Sequence, residues 1–173
     1  MAEIAIDPTL GPVRARTGDE RAVLGAFLDL HRAVVLRKVR DLTDADAARR
    51  LVPSATTLAG LVKHLTIVER NWFQVLLDPA PGDRFPTSEE DAAASFALSE
   101  GETLADLVTA YEAQCARSRE LAARFPLDHV VGQPQLGEVS LRWILVHLIE
   151  ETARHAGHAD ILRELTDGET GAV

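Results

Sequence analysis

Four long segments of the sequence repeat apolar residues at the spacing of an α-helix, and this repetition restricts the fold more than any other feature. The first predicted helix covers residues 19–40, the second 57–78, the third 99–125 and the fourth 140–167. Alternation of the β type is almost absent, and residues 130–139 fit either a small hairpin or a turn. Helices that each carry one apolar stripe bury those stripes most economically side by side. The sequence therefore predicts an all-α fold, a four-helix bundle.

Short polar signals mark the predicted helix starts. A Ser or Thr followed three residues later by Glu is a capping box, because each side chain satisfies a backbone N–H of the other residue. Thr17 with Glu20 fits this pattern before the first helix, and Ser99 with Glu102 fits it before the third. Residues 78–98 are rich in proline and acids, which predicts a long surface loop. Loops of that length often border functional sites.

Length and composition favour one folded, cytosolic domain. With 173 residues the chain is long enough for one core and short for two, so we expect a single domain over 1–173 with an N-terminal extension at 1–18. A net charge of -9 without a basic run disfavours nucleic-acid binding. Cys115 is the single cysteine, so no internal disulfide can form. We find neither a secretory leader nor an apolar run of about 18 residues, so no membrane insertion is expected.

The fourth predicted helix carries a stripe of candidate metal ligands. His147, Glu151, His155 and His158 are separated by four, four and three residues, so their side chains share one helical face. Imidazole nitrogens and carboxylate oxygens suit zinc, nickel or iron, and two ligands one turn apart can reach one ion. The same stripe also fits a solvated helix face with favourable charge spacing. Both interpretations remain open from the spacing alone.

A third ligand has to come from another helix, and the second helix offers His64 at the edge of its apolar stripe. A histidine in that position is, taken singly, more typical of a hydrogen-bonded core residue than of a metal ligand. His31 has the same character on the first helix and is interpreted as core or pocket wall. His129 lies in a predicted loop, where solvation is expected.

Other reactive or aromatic residues have ordinary structural interpretations beside functional ones. Trp72 and Trp143 are typical anchors of a packed interior, although either fits a pocket wall near the bundle end. Arg154 flanks the ligand stripe and fits a surface ion pair or a substrate contact. Cys115 lies on the core side of the third helix, where a thiol normally serves as inert packing.

Two segments carry a family resemblance. Residues 56–73 read TTLAGLVKHLTIVERNWF and residues 140–168 read SLRWILVHLIEETARHAGHADILRELTDG. Both resemble the DinB-like superfamily, in particular its DUF664 branch. The resemblance implies an up-down-down-up four-helix bundle with one long crossover.

The same resemblance implies a ligand set of His64, Glu151 and His155 for one divalent metal. The glutamate in the middle is similar to the His-Glu-His set of mycothiol-dependent maleylpyruvate isomerases, which makes zinc the first metal to test, with nickel or iron as alternatives. His147 and His158 are then expected to support the ligands or to replace one of them. Homodimers are common in the superfamily, so a homodimer is expected.

The implied chemistry is activation of a small thiol such as mycothiol or bacillithiol, which the metal holds as thiolate. The resulting hypothesis is a metal-dependent S-transferase or isomerase acting on a small electrophile. One alternative is a metal-dependent hydrolase of small molecules, in which His147 or His158 moves a proton. A second alternative is a stress-related metal-binding protein without catalysis.

Overall fold

Four long helices form the body of the protein in a computed structural model, which describes residues 10–171. Residues 1–9, which are half of the predicted N-terminal extension, and residues 172–173 lie outside the described part. Shorter helices and one hairpin connect or flank the long helices. In chain order the elements are α1 (Gly11–Ala15), α2 (Glu20–Lys38), α3 (Asp44–Ala47), α4 (Leu58–Glu69, continued by a π-helical segment over Arg70–Val75), α5 (Glu89–Ala94), α6 (Leu104–Ala123), β1 (Val130–Gln133), β2 (Gly137–Ser140) and α7 (Leu141–Asp167).

Helices α2 and α7 pack side by side and run in the same direction. Near their starts, Arg142 forms an ion pair with Glu20 at 2.6 Å. Near their ends, Lys38 forms an ion pair with Asp160 at 2.6 Å. Since starts meet starts and ends meet ends, the two helices are parallel. They are the two "up" helices of the bundle.

Helices α4 and α6 are the second parallel pair. Lys63, in the first half of α4, reaches Glu102 just before α6 at 2.7 Å. Arg117, late in α6, reaches Asp78 just after α4 at 3.1 Å. A parallel neighbour requires the chain to return along the bundle, and the segment between α4 and α6 makes that crossover. The predicted up-down-down-up bundle with one long crossover is therefore confirmed.

The predicted cap of the first long helix is wrong. Asp19, not Thr17, is the N-cap of α2, and its carboxylate accepts a hydrogen bond from the backbone N–H of Ala22 at 2.8 Å. Thr17 belongs to the turn that ends α1, where Gly18 N donates to the Ala15 carbonyl at 2.8 Å. A residue held in that turn cannot take the extended backbone of an N-cap.

The predicted capping box of the third long helix is also wrong by one turn. Thr103 is the N-cap of α6 and accepts from the backbone N–H of Asp106 at 3.2 Å. The Glu102 carboxylate instead accepts from the backbone N–H of Ser99 at 2.8 Å and thereby closes a turn before the helix. By contrast, Ser140 caps α7 as predicted, with its hydroxyl 3.2 Å from the N–H of Trp143.

Two features turn one side of the bundle into a pocket wall. The crossover is not a plain loop, because it contains α5, whose capping box is formed by Ser88 and Asp91. The segment before α7 is an antiparallel hairpin in which Val130 pairs with Ser140. Helix α5 and the hairpin both lie beside the second half of α4. Within the described residues, we find no helix with the length and apolarity that crossing a membrane requires.

A buried charged pair joins α2 to α4 inside the bundle. Nε and Nη2 of Arg32 donate to the two carboxylate oxygens of Glu69, each at 2.7 Å, and Nη1 donates to Asp29 at 2.8 Å. Glu69 is 0% exposed and Arg32 is 4% exposed. Burial lowers the pKa of Arg32, but the Glu69 carboxylate more than offsets this and leaves that pKa above its ordinary value. The pair therefore stays charged and connects the two antiparallel helices.

Replacing Glu69 by Leu is expected to lower the free energy of unfolding by about 3–5 kcal/mol, because it leaves a buried guanidinium without its main partner. Urea unfolding followed by circular dichroism measures the loss. The double variant Arg32→Met with Glu69→Leu removes both charges and should recover most of it. Equal losses in the single and double variants would show that the unpaired charge is not the cause.

Candidate metal centre

Three side chains from two helices converge on one point between α4 and α7. Nε2 of His64 lies 3.2 Å from Oε1 of Glu151, and Nε2 of His155 lies 3.1 Å from the same oxygen. One donor atom from each residue lies within 4.8 Å of the other two. Glu151 and His155 share a face because they are one helical turn apart on α7. The packing of α4 against α7 supplies the third group.

The site is largely shielded from solvent and carries a negative charge. Glu151 is 9% exposed and His155 is 8% exposed, whereas His64 is half-buried. Burial raises the pKa of Glu151, but hydrogen bonds with His155 and His64 and the nearby charge of Arg154 more than offset it. The hydrogen bond with His155 and the charge of Arg154 are enough to hold the pKa of that carboxyl well below its usual range, whichever nitrogen of His64 carries the proton. Glu151 is therefore an anion at neutral pH.

Ser95 determines which ring nitrogen of His64 carries the proton. The Ser95 hydroxyl donates its only proton to the Ala92 carbonyl at 2.6 Å, so it can only accept from Nδ1 of His64, which lies 2.7 Å away. In the neutral imidazole, Nε2 then presents a lone pair toward the Glu151 carboxylate. Two acceptors face each other there, an arrangement that needs a proton or a cation between them.

Two of the three separations between the donor atoms fit a shared metal ion, and the third, between the two histidines, is within 4.8 Å. Two ligands about 2.0–2.1 Å from a tetrahedral zinc ion lie roughly 3.3 Å apart. The separations of 3.1 and 3.2 Å between Oε1 of Glu151 and the two imidazole nitrogens are close to that value. Two nitrogens and one carboxylate oxygen also form a donor set that zinc, nickel and iron accept. The residues present therefore fit a divalent metal.

A cavity of about 620 Å³ adjoins the centre on the His64 side. His64 and Ser95 belong to its wall, and the rest comes from the second half of α4, the crossover segment and the hairpin. Trp72 and Phe85 contribute a large apolar surface, with their ring centroids 5.3 Å apart. A volume of this size accommodates a small organic molecule.

The sequence model of the mycothiol-S-transferase family matches residues 23–168. The chain belongs to the mycothiol-S-transferase family. Among solved structures, a conserved protein from Enterococcus faecalis has the same fold, with a TM-score of 0.65 and 17% sequence identity over 87% of this chain and 99% of that chain. No curated protein matches the chain in sequence. The family match covers every residue of the candidate centre.

The two further histidines of the α7 stripe occupy different surroundings in this member of the mycothiol-S-transferase family. Nδ1 of His158 lies 3.3 Å from Nδ1 of His155. His158 therefore contacts the nitrogen of His155 that faces away from Glu151. The ring of His147 instead stacks on Trp143, with centroids 5.2 Å apart, and packs against Trp72 at 4.4 Å. Burial lowers the pKa of His158 and of His147.

Of the four residues predicted to form the pocket wall, one lines the cavity and three do not. Trp72 lines the cavity, whereas His31, Trp143 and Arg154 are not among its described lining residues. Trp143 packs behind Trp72, with centroids 5.5 Å apart. Arg154 forms ion pairs with Glu151 and with Glu150. His31 lies on α2, where burial lowers its pKa.

Gly60 allows the crossover segment to approach His64. The ring of Phe96 stacks on that of His64, with centroids 4.0 Å apart and planes inclined by 10°. A Cβ built at Gly60 would lie 2.8 Å from the Phe96 carbonyl oxygen, which is closer than real Cβ contacts. Only glycine therefore lets the backbone at Phe96 pack so close to α4. Ser95 and Phe96 were not predicted as functional residues.

Gly60→Ala is expected to lower the free energy of unfolding by about 1–3 kcal/mol, because the added methyl group overlaps backbone rather than a flexible side chain. Gly25→Ala is the matched control, since a Cβ on that α2 residue meets no atom within 4 Å. The control should stabilise the helix by up to about 1 kcal/mol. Urea unfolding of both variants measures the difference, and the same sign for both would contradict the close approach.

Cys115 is expected to resist alkylation in the folded protein. Burial, reinforced by the Glu69 carboxylate, raises the pKa of this thiol to about 12. At pH 8, iodoacetamide should therefore leave Cys115 unmodified in the native state and label it fully in urea, since only the thiolate reacts readily. Mass spectrometry measures the added mass. Rapid labelling of the native protein would show that the thiol is exposed and reactive.

Proposed function

We propose that the protein binds one divalent metal ion through Nε2 of His64, Oε1 of Glu151 and Nε2 of His155, and that it transfers a mycothiol-type thiol to a small electrophile. The observation that carries the proposal is the convergence of these three donors beside a cavity. Zinc is the first candidate, with nickel and iron next. Membership of the mycothiol-S-transferase family supports a thiol as one substrate.

Three protein ligands leave a coordination position open, as a catalytic site requires. A divalent metal bound there would lower the pKa of a coordinated thiol and so supply a thiolate nucleophile at neutral pH. The cavity lies on the His64 side of the centre, where the thiol and the electrophile would both find room.

The surrounding residues hold the donors in place and give the adjoining cavity its apolar wall. Ser95 accepts the Nδ1 proton of His64 and keeps its Nε2 free. Phe96 fixes the plane of that ring by stacking. Arg154 pairs with Glu151 and stabilises its charge. Trp72 lines the cavity with an apolar surface, which lowers the local dielectric and strengthens the charge interactions.

The proposed transfer conserves atoms and electrons without a further reactant. The thiol loses its proton, and its sulfur lone pair forms the new bond to a carbon of the electrophile. In a substitution, the electron pair of the broken bond leaves with the displaced group. In an addition to a double bond, the π electron pair of that bond moves onto the neighbouring atom, which then takes up the proton. Cys115 takes no part, because its thiol is buried on α6.

Single replacement of His64, Glu151 or His155 by Ala is expected to weaken zinc binding by at least about 100-fold, because two donors hold a divalent ion far less tightly than three. Ser95→Ala should weaken it about 10–100-fold through the orientation of His64. His129→Ala is the control, because that ring stacks on Phe125 away from the centre. Elemental analysis and competition titration with a chromogenic chelator measure the affinities.

Equal zinc affinity in the triad variants and the control would overturn the ligand set. Titration of the zinc-loaded protein with mycothiol then tests the transferase. Zinc without thiol binding would favour the hydrolase alternative, and zinc without turnover of thiol adducts or esters would favour a non-catalytic protein. A homodimer and a cytosolic location remain predictions.

A further inference from the structure

The wall of the 620 Å³ cavity carries two buried amide side chains that the metal centre does not use. Asn71 is 6% exposed and Gln133 is 4% exposed, and both line the cavity. Asn71 is also the only asparagine of the sequence. Buried amides normally have hydrogen-bond partners, and the unpaired atoms of these two keep contact with solvent, so they are available to a molecule in the cavity.

The side chain of Asn71 makes no hydrogen bond with any residue in the described range 10–171. It lies in the π-helical segment that continues α4, a type of irregularity common at functional sites. Seven residues separate it from His64, so it lies on nearly the same helix face about 10 Å farther along. Both the N–H donors and the carbonyl acceptor of this amide remain available to a molecule in the cavity.

In the side chain of Gln133, only the amide N–H donors are free, because the carbonyl oxygen already accepts hydrogen bonds. Its Oε1 accepts from the backbone N–H of Gln135 at 2.7 Å and of Leu136 at 2.6 Å, which fixes the oxygen toward the hairpin turn. The amide nitrogen therefore points away from the turn, and no acceptor for it occurs among the described residues. The hairpin thus places Gln133 in the cavity wall, with its amide N–H groups left free to donate.

The charges of the wall disfavour an anionic ligand. Arg84 is the one guanidinium among the described lining residues, and it already forms two hydrogen bonds with the Asp91 carboxylate, at 2.8 and 3.0 Å. Glu89 adds another negative group to the same wall. The polar groups that remain free are neutral amides and hydroxyls, which match ligand groups that both donate and accept.

We propose that Asn71 and Gln133 form a polar subsite that binds the hydroxyl and amide groups of a neutral, polyhydroxylated thiol, with its sulfur directed toward His64. This inference rests on the proposed function for the position of the sulfur. The subsite selects such a thiol over a carboxylate-bearing one. The apolar surface of Trp72 and Phe85 remains for the electrophile or the ring faces of the thiol.

Calorimetric titration of the zinc-loaded protein with mycothiol and with N-acetylcysteine tests the subsite. N-acetylcysteine has the thiol end of mycothiol without its sugar and inositol, and it bears a carboxylate where mycothiol has an amide, so the comparison is the change that each variant makes to each affinity. Asn71→Leu should weaken mycothiol binding about tenfold, by the loss of one or two neutral hydrogen bonds. It should change N-acetylcysteine binding by less than twofold. Its thermal stability should not fall, because Asn71 makes no hydrogen bond among the described residues.

Gln74→Leu is the matched control. Gln74 is an amide residue of the same π-helical segment, but it does not line the cavity. It should leave both thiol affinities unchanged. An Asn71→Leu variant that binds mycothiol as tightly as the wild type, or that loses both thiols equally, would overturn the subsite.

S-methyl mycothiol separates this inference from the proposed function, since its blocked sulfur cannot act as a thiolate. In one outcome, the wild type binds S-methyl mycothiol at least as tightly as either free thiol, and Asn71→Leu loses that binding. The subsite then stands and the transferase fails. If both free thiols bind and Asn71→Leu binds each like the wild type, the transferase stands and the subsite fails. A wild type that binds none of the three compounds overturns both.

Discussion

The buried carboxylate of Glu151 is the group on which the architecture of the centre depends. A charge removed from water is tolerated only with close partners of opposite sign or with hydrogen bonds. Its oxygen Oε1 meets one imidazole nitrogen from α4 and one from α7, while Arg154 pairs with the other oxygen. Sliding either helix along the other would separate these groups. The position of α4 against α7 therefore determines whether the three donor groups can meet.

The bundle supplies the donors, and the two additions to the bundle supply the surroundings. The crossover places Ser95 and Phe96 on the back of His64, which fixes the tautomer and the plane of the ring. The hairpin places Gln133 across from the π-helical segment of α4. Connecting segments vary more freely among related proteins than the helices beneath them, so the surroundings of the centre can change while the donors stay in place.

Helical spacing in the sequence indicates the bundle and the stripe on α7, whereas the set of His64, Glu151 and His155 came from the family resemblance. Glu151 and His155 are four residues apart, and His64 stands at the edge of an apolar stripe, so periodicity alone brings them near the core. Ser95 and Phe96 follow no such period, because they lie in an irregular crossover whose position depends on contact with Gly60. The wrong cap at Thr17 has a similar origin, since the turn after α1 competes for that residue.

By itself the sequence determined the all-α class, the four long helices and the candidate donors, since each depends on local spacing and on the chemistry of single residues. Spacing along the chain did not decide which histidines meet: the family resemblance named them, and the packing of the helices brings them together. His147 and His158 share one helix face with Glu151, yet His147 packs against tryptophans while His64, 87 residues away along the chain, reaches the carboxylate. Contacts between distant segments depend on how whole helices pack, and no local pattern records that packing.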